Sequence, residues 1–440
     1  MDNEPLLPSS IKSSNNIRHY ARSTSHAYDE FHSFRSCLRW MCVDQSSIPR
    51  AILSWSVFLL FTILVPCLSH FLLSCSECDA KHRKPYDGVI QLSLSTVATL
   101  SFLCLSRFVI KYGLKRFLFF DKLCHESHTV STQYTQQLKR SLKILAVFVL
   151  PCFVAESAYK FWWYTTGGLR KIPYLGNVYA SDAIACTLEL LSWLYRTSVF
   201  FLVCILFRLI CHLQILRIHD FAKVFQVNSD VGSILSEHLR IRRHLRIISH
   251  RYRAFILWAL FFITGSQFAS LLITTKSSAN LNVFRAGELA LVSVTLLAGL
   301  FILLRSATKI THKAQAVTCL ATKWHVCATV DSFDATDEGE TPHANANSNS
   351  AVFPLQGSDH SDDDDAGDED DDVDNTKFIP ADARNTISFQ KRQALVTYLE
   401  NNKAGITAYG FMLDRTYIHT IFGIELSLVL WLLGKTIGIS

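Results

Sequence analysis

The chain has 440 residues, 49% of them apolar and 18% charged, with 43 basic against 37 acidic side chains for a net charge of +6. The apolar residues are gathered in runs, a distribution that excludes an ordinary soluble fold. No HExxH, GxSxG or phosphate-binding glycine loop occurs, which argues against zinc protease, serine hydrolase and nucleotide-driven pump, so the chain reads as a non-enzyme with no cofactor.

Residues 1–50 are expected to be a cytosolic tail, mostly disordered. They hold no apolar run that could serve as the core of a cleaved signal, so the first span is itself the insertion signal. Asp2 to Leu7 reads DNEPLL, similar to acidic dileucine sorting signals, which points to a plasma or an endosomal/vacuolar membrane. Spans are predicted at 51–73, 88–112, 143–165, 183–212, 253–275, 286–305 and 415–437. Each reaches the ~20 residues that a helix rising ~1.5 Å per residue needs to cross the hydrocarbon core. Backbone amides in lipid must be bonded internally, so the fold class is all-α, with seven transmembrane helices.

Loop charge sets the orientation. Lys and Arg number six before the first span, five in 113–141 and seven in 213–251, against three in 74–87, two in 166–182 and one in 276–284. The N-terminus is therefore expected in the cytosol and, after seven crossings, the C-terminus outside. From Ile234 the sequence ILSEHLRIRRHLRIISHRYRAFIL places Leu235, Leu239, Leu245, Ile248, Tyr252 and Phe255 near one helical face and runs without a breaker into the fifth span. Helices four to six thus extend into the cytosol, where they either pack as a bundle or lie on lipid. The spans and these extensions make up 51–330.

A cytosolic loop at 331–384 contains eleven carboxylates between Asp359 and Asp374, and its composition predicts disorder. Removing those eleven leaves the remainder at +17. That surplus serves topology and attraction to anionic lipid, with no folded reader of nucleic acid. A cytosolic amphipathic helix is predicted at 385–404, carrying Leu395, Val396 and Leu399, with Gly405 as its C-cap. Residues 405–440 form the seventh span. The thirteen cysteines lie mostly in spans or cytosolic segments, and Cys75 with Cys78 in the first outer loop is too weak a pattern for a metal site.

Polar groups within spans are costly and therefore informative. Glu156 and Lys160 are four apart in the third span and Glu189 and Arg196 seven apart in the fourth, each pair on one face. Gln267, Glu288 and Glu425 add one polar group each to the fifth, sixth and seventh. With the aromatics Tyr159, Trp163 and Trp193 as neighbours, the groups of the third to sixth spans predict an outward-facing pocket for a small organic ligand. Inter-helix salt bridges beside an aromatic belt are the other reading of the same residues.

Seven spans, an inside N-terminus, long cytosolic extensions and a short helix before the last span together resemble the insect gustatory and odorant receptor superfamily. The run from Ala408 through Gly410, Phe411, Met412, Leu413 and Asp414 to Arg415 is similar to that superfamily's Gly-Phe-Phe-x-Leu-Asp-Arg segment, and Gly423 matches its small residue before the pore helix. The whole sequence looks most like a plant family of seven-span proteins of unassigned function distantly similar to gustatory receptors. The resemblance implies a homotetramer in which four copies of the seventh helix surround a pore. The superfamily's Tyr and pore Gln are absent, Leu426-Ser427 and Leu433-Gly434 standing in their places. Ser427, Leu430 and Leu433 would then line the pore, and Glu425 would offset Lys435 only if it too faced the axis. A small-molecule-gated channel, a small-solute transporter and a non-conducting scaffold are the functions to be distinguished.

Overall fold

The computed structural model describes residues 41, 43, 45, 47–72, 86–117, 128–168, 178–225, 231–276, 283–337 and 389–437. The dileucine-like segment, the Cys75–Cys78 pattern and the acidic run lie outside the described residues. Among the described residues, seven helices are long and apolar enough to cross a membrane. They are α1 and α2 (Ile48–Leu59 and Val65–Leu72, joined by a π-helical turn at Leu60–Leu64), α3 (Asp87–Phe117), α4 (His128–Trp163), α5 (Val178–Val224), α6 (Val231–Lys276), α7 (Val283–Asp337) and α9 (Arg415–Ile437). Large apolar side chains such as Ile52, Leu64, Phe161 and Leu272 are exposed, a surface that water would penalise and lipid does not. The chain is an integral membrane protein.

The residues form two compact units, residues 1–213 with 249–308 and 407–440, and residues 214–248 with 309–406. In the first unit α5 is the central helix: every side chain from Val199 to Phe207 is buried. Gly299 on α7 packs against it so closely that a Cβ there would clash with the edge of the Phe200 ring. Phe58 stacks on Phe102 at 4.1 Å, joining α1 to α3, and Tyr252 of α6 meets Phe108 of α3 and Phe207 of α5 at 5.1 and 4.8 Å.

The π-helical turn has a covalent cause. Pro66 has no N–H, so neither Thr62 O nor Phe61 O can receive the bond that residue 66 would donate in an α or a π ladder. Ser95 of α3 donates to Thr62 O at 2.9 Å and Ser192 of α5 to Phe61 O at 2.6 Å. A defect in one helix thereby becomes two fixed contacts to its neighbours.

In the second unit α6 buries Ile234, His238, Ile241, Leu245 and Ile248, spaced by three and four. Leu235 is half-buried and Leu239 is 48% exposed, so the predicted stripe is corrected at its start. Six residues from Leu239 to Leu245 turn the helix by about 240°, which puts them on different faces. Helix α8 (Phe389–Asn401) buries Leu395, Val396 and Leu399, and the His238 and Tyr398 rings meet edge-on at 5.7 Å. Arg242 donates to Asn402 Oδ1 at 2.7 Å, and the Ile406 amide to Thr311 Oγ1 at 3.1 Å.

Gly405 is not the left-handed residue. Tyr409 (φ 50°) and Gly410 (φ 93°) are, as the two-residue turn of a hairpin that pairs β1 (Thr407–Ala408) with β2 (Phe411–Met412) immediately before α9. The start of the stretch assigned to the seventh span is thus a small folded element ahead of the helix. Arg253 covers the Tyr409 ring at 5.1 Å, and the Thr407 amide donates to Ser249 Oγ at 3.0 Å.

Candidate functional site

Lys160 is the centre of a buried ionic cluster. Its ammonium, 2% exposed, lies 2.9 Å from Glu288 Oε1 on α7, 3.0 Å from Glu189 Oε2 on α5 and 3.7 Å from Glu156 Oε1 one turn back on α4. Glu189 also accepts a hydrogen bond from Ser69 of α2. Arg196, one-face neighbour of Glu189, donates to Ser192 O at 3.3 Å, Gln91 O at 3.4 Å and Ser95 Oγ at 3.2 Å. Taking these charges out of water costs several kcal/mol per ion unless geometry returns it. Three carboxylates converging on one ammonium from three helices supply that geometry and fix the helices' register.

The side chains line a cavity of about 10 Å³, the size of a single water. Of the sequence-predicted ligand residues, Glu156, Lys160, Glu189, Trp193, Arg196 and Glu288 line it. Tyr159, Trp163 and Gln267 do not: Tyr159 packs on Trp162, Trp163 on Tyr164, and Gln267 donates to Ser293 O at 3.4 Å. The expected boundary is corrected accordingly. The fifth span contributes nothing to the cavity wall, whereas the first two contribute Val65, Pro66, Ser69 and Gln91. Polar residues inside those early spans were the available signal, since Ser69 falls within 51–73 and Gln91 within 88–112.

At the other candidate site, α9 has two unlike faces. Ile418, Glu425, Val429 and Leu432 are buried, and Phe422 meets Phe301 of α7 at 4.7 Å. Gly423, Ser427 and Leu430 are exposed and Leu433 is half-buried. Glu425 is 1% exposed and accepts a hydrogen bond from Thr264 of α6, so it lies on the face turned into its own bundle and not in the row of Ser427 and Leu430. Two residues of helix separate Glu425 from Ser427, a rotation of about 200°. Among the motif residues, Gly410 and Phe411 form the hairpin turn and second strand, Leu413 is half-buried, and Asp414 Oδ1 accepts from the Arg415 amide at 2.7 Å at the start of α9.

The family described as protein of unknown function (DUF3537) matches residues 29–424. The chain belongs to that family. No curated protein matches this DUF3537 chain in sequence. Among solved structures it is similar to the insect olfactory receptor OR5 from Machilis hrabei, at 13% identity and a TM-score of 0.51, over 92% of this chain and 99% of that one. At that identity the likeness is one of fold. The DUF3537 chain therefore has the seven-span fold of an insect olfactory receptor.

Proposed function

We propose that this DUF3537 protein is a receptor-like channel, a homotetramer opened by a small molecule bound in the outer half of the helix bundle. The observation that carries the reading is the two-faced seventh helix: within a receptor fold, α9 turns Gly423, Ser427 and Leu430 away from its own subunit. A row of Ser427, Leu430 and Leu433 at a shared axis would form a constriction that closes by dewetting, with no charge in it. Glu425, held by Thr264, takes no part in that constriction.

The ionic cluster at Lys160 is the proposed ligand site. Its cavity of about 10 Å³ admits no organic molecule, so binding requires the helices that meet there to separate. A ligand that binds the separated arrangement better shifts the population toward it, which supplies the coupling between binding and opening. Currents recorded from the chain in planar bilayers test the reading. Leu430→Ser with Leu433→Ser is expected to leak without ligand, and silence of that variant would remove the gate. Saturable uptake without single-channel current would instead make the protein a transporter.

A further inference from the structure

We propose that Arg140, Arg208 and Arg305 form a binding site for a membrane phospholipid whose headgroup carries phosphate monoesters in addition to its diester. The site is separate from the Lys160 cluster, since Arg140 and Lys160 are twenty residues apart on α4, about 30 Å of helix. It stands whether or not the chain conducts.

Three different helices supply the guanidinium groups, Arg140 from α4, Arg208 from α5 and Arg305 from α7. Arg140 and Arg305 both lie within electrostatic reach of Arg208. All three stand at the same end of their spans, since Arg140 precedes the third, Arg208 is near the close of the fourth and Arg305 closes the sixth. Loop charge assigns that end to the cytosol, at the level of the lipid headgroups. Arg208 is half-buried, and Arg140 and Arg305 are exposed. The three helices carry no Asp or Glu at 127–155, 190–219 or 289–330, and no ion pair joins any of these arginines to a carboxylate among the described residues. Like charges brought together from separate helices repel, and a multiply charged anion placed between them turns that repulsion into attraction.

Two further features select a phosphorylated lipid. Arginine presents a planar fork that matches phosphate oxygens, and the Phe301 ring holds the Arg305 guanidinium at 5.7 Å without supplying an oxygen to its N–H groups. The lipid-facing surface of α4 continues the site upward. Arg140, Lys143, Val147, Leu150 and Val154 are all exposed and follow one another at spacings of three and four, so they form one helical stripe with a basic foot and an apolar body. A headgroup at the foot lays its acyl chain along Val147, Leu150 and Val154, whereas a soluble anion uses the foot alone. Three arginines with Lys143 exceed the single charge of a phosphodiester, and each added monoester brings a charge of about −1.5 to −2.

Native mass spectrometry tests the site on the purified full-length protein in a non-ionic detergent, titrated with phosphatidylinositol bisphosphate, phosphatidylserine or soluble inositol trisphosphate. The bisphosphate lipid is expected to bind more tightly than either of the others. Arg140→Gln and Arg305→Gln should each weaken it about fivefold. Arg208→Lys keeps the charge but loses the fork, so it should weaken binding less than Arg208→Gln does. Arg243→Gln, which removes an exposed arginine of the second unit, should leave binding unchanged. Unfolding midpoints without lipid identify any variant that does not fold, and the exposed Arg140 and Arg305 decide the matter should the half-buried Arg208 not tolerate replacement. Equal weakening by Arg243→Gln and the cluster variants would reduce the binding to bulk charge. Phosphatidylserine bound as tightly as the bisphosphate would remove the need for monoesters, and inositol trisphosphate bound as tightly would make the occupant a free anion. Each of these three results, or no binding of the bisphosphate lipid at all, would overturn the site.

Discussion

Lys160 is a side chain whose removal should be felt more than its size suggests. Lys160→Met deletes the ammonium on which, among the described residues, Glu156, Glu189 and Glu288 converge and leaves their charges buried without it, so we expect a loss of ~3–5 kcal/mol of stability. Adding Glu288→Gln to Lys160→Met removes one of the stranded charges and should recover part of the loss. Denaturation of the two variants and of Glu288→Gln alone, arranged as a double-mutant cycle, measures the coupling, and strict additivity would mean that the ion pair carries no stability. At this scale the sequence was readable only where partners are close along the chain. Glu156 and Lys160 share a helical face by their spacing, but Lys160 and Glu288 are 128 residues apart, and no periodicity announces their meeting. Gln267 misled for the complementary reason: a glutamine within a span demands a partner without saying which, and Ser293 O supplied it.

Among the elements, the packing of α7 on α5 depends on a missing side chain. A Cβ at position 299 would occupy the space of the Phe200 ring, and Phe200 is only 2% exposed, so the ring has no free volume to retreat into. Gly299→Ala should therefore cost ~1–3 kcal/mol, against the usual helix-stabilising sense of that substitution, and Phe200→Leu should relieve it. Unfolding midpoints for both singles and the double decide this; a stabilised Gly299→Ala would show that the helices are not so close. The hairpin ahead of α9 makes a second demand on the backbone. With φ at 93°, Gly410 occupies a conformation that an L side chain resists, and Gly410→Ala should destabilise by about 1 kcal/mol, whereas Tyr409→Asn, at φ 50°, should be tolerated by the backbone.

The helices themselves were legible because a span must be about twenty apolar residues long whatever it packs against. The hairpin was not, because strands of two residues have no period to detect, and the Tyr-Gly pair in the turn was the one local sign. The face of α6 was half legible: the spacing from Leu245 to Phe255 holds, and the error at Leu239 came from extending a leucine pattern across a stretch where His238 and Ile241 are the buried residues.

For the whole molecule, the question is what covers the outer face of α9. A single chain cannot say, since a row of Gly423, Ser427 and Leu430 turned away from its own bundle could meet lipid or three copies of itself. A pore reading requires the copies, and proximity distinguishes the two. Ser427→Cys places a thiol on the exposed face, Val429→Cys places one on a face that is 2% exposed, and Phe71→Cys places one on a span surface that is 77% exposed but far along the chain from the proposed axis. Mild oxidation in native membranes should link Ser427→Cys into disulfide-bonded dimers, because neighbouring copies of the same position face one another across a symmetry axis and one bond consumes two of the four thiols. Val429→Cys is shielded by its own subunit and Phe71→Cys by lipid, so neither should exceed the background of the chain's native cysteines. Equal linking of Ser427→Cys and Phe71→Cys would reduce the effect to random collision in the bilayer and leave α9 facing lipid, which would end the channel reading while leaving the ionic cluster in place.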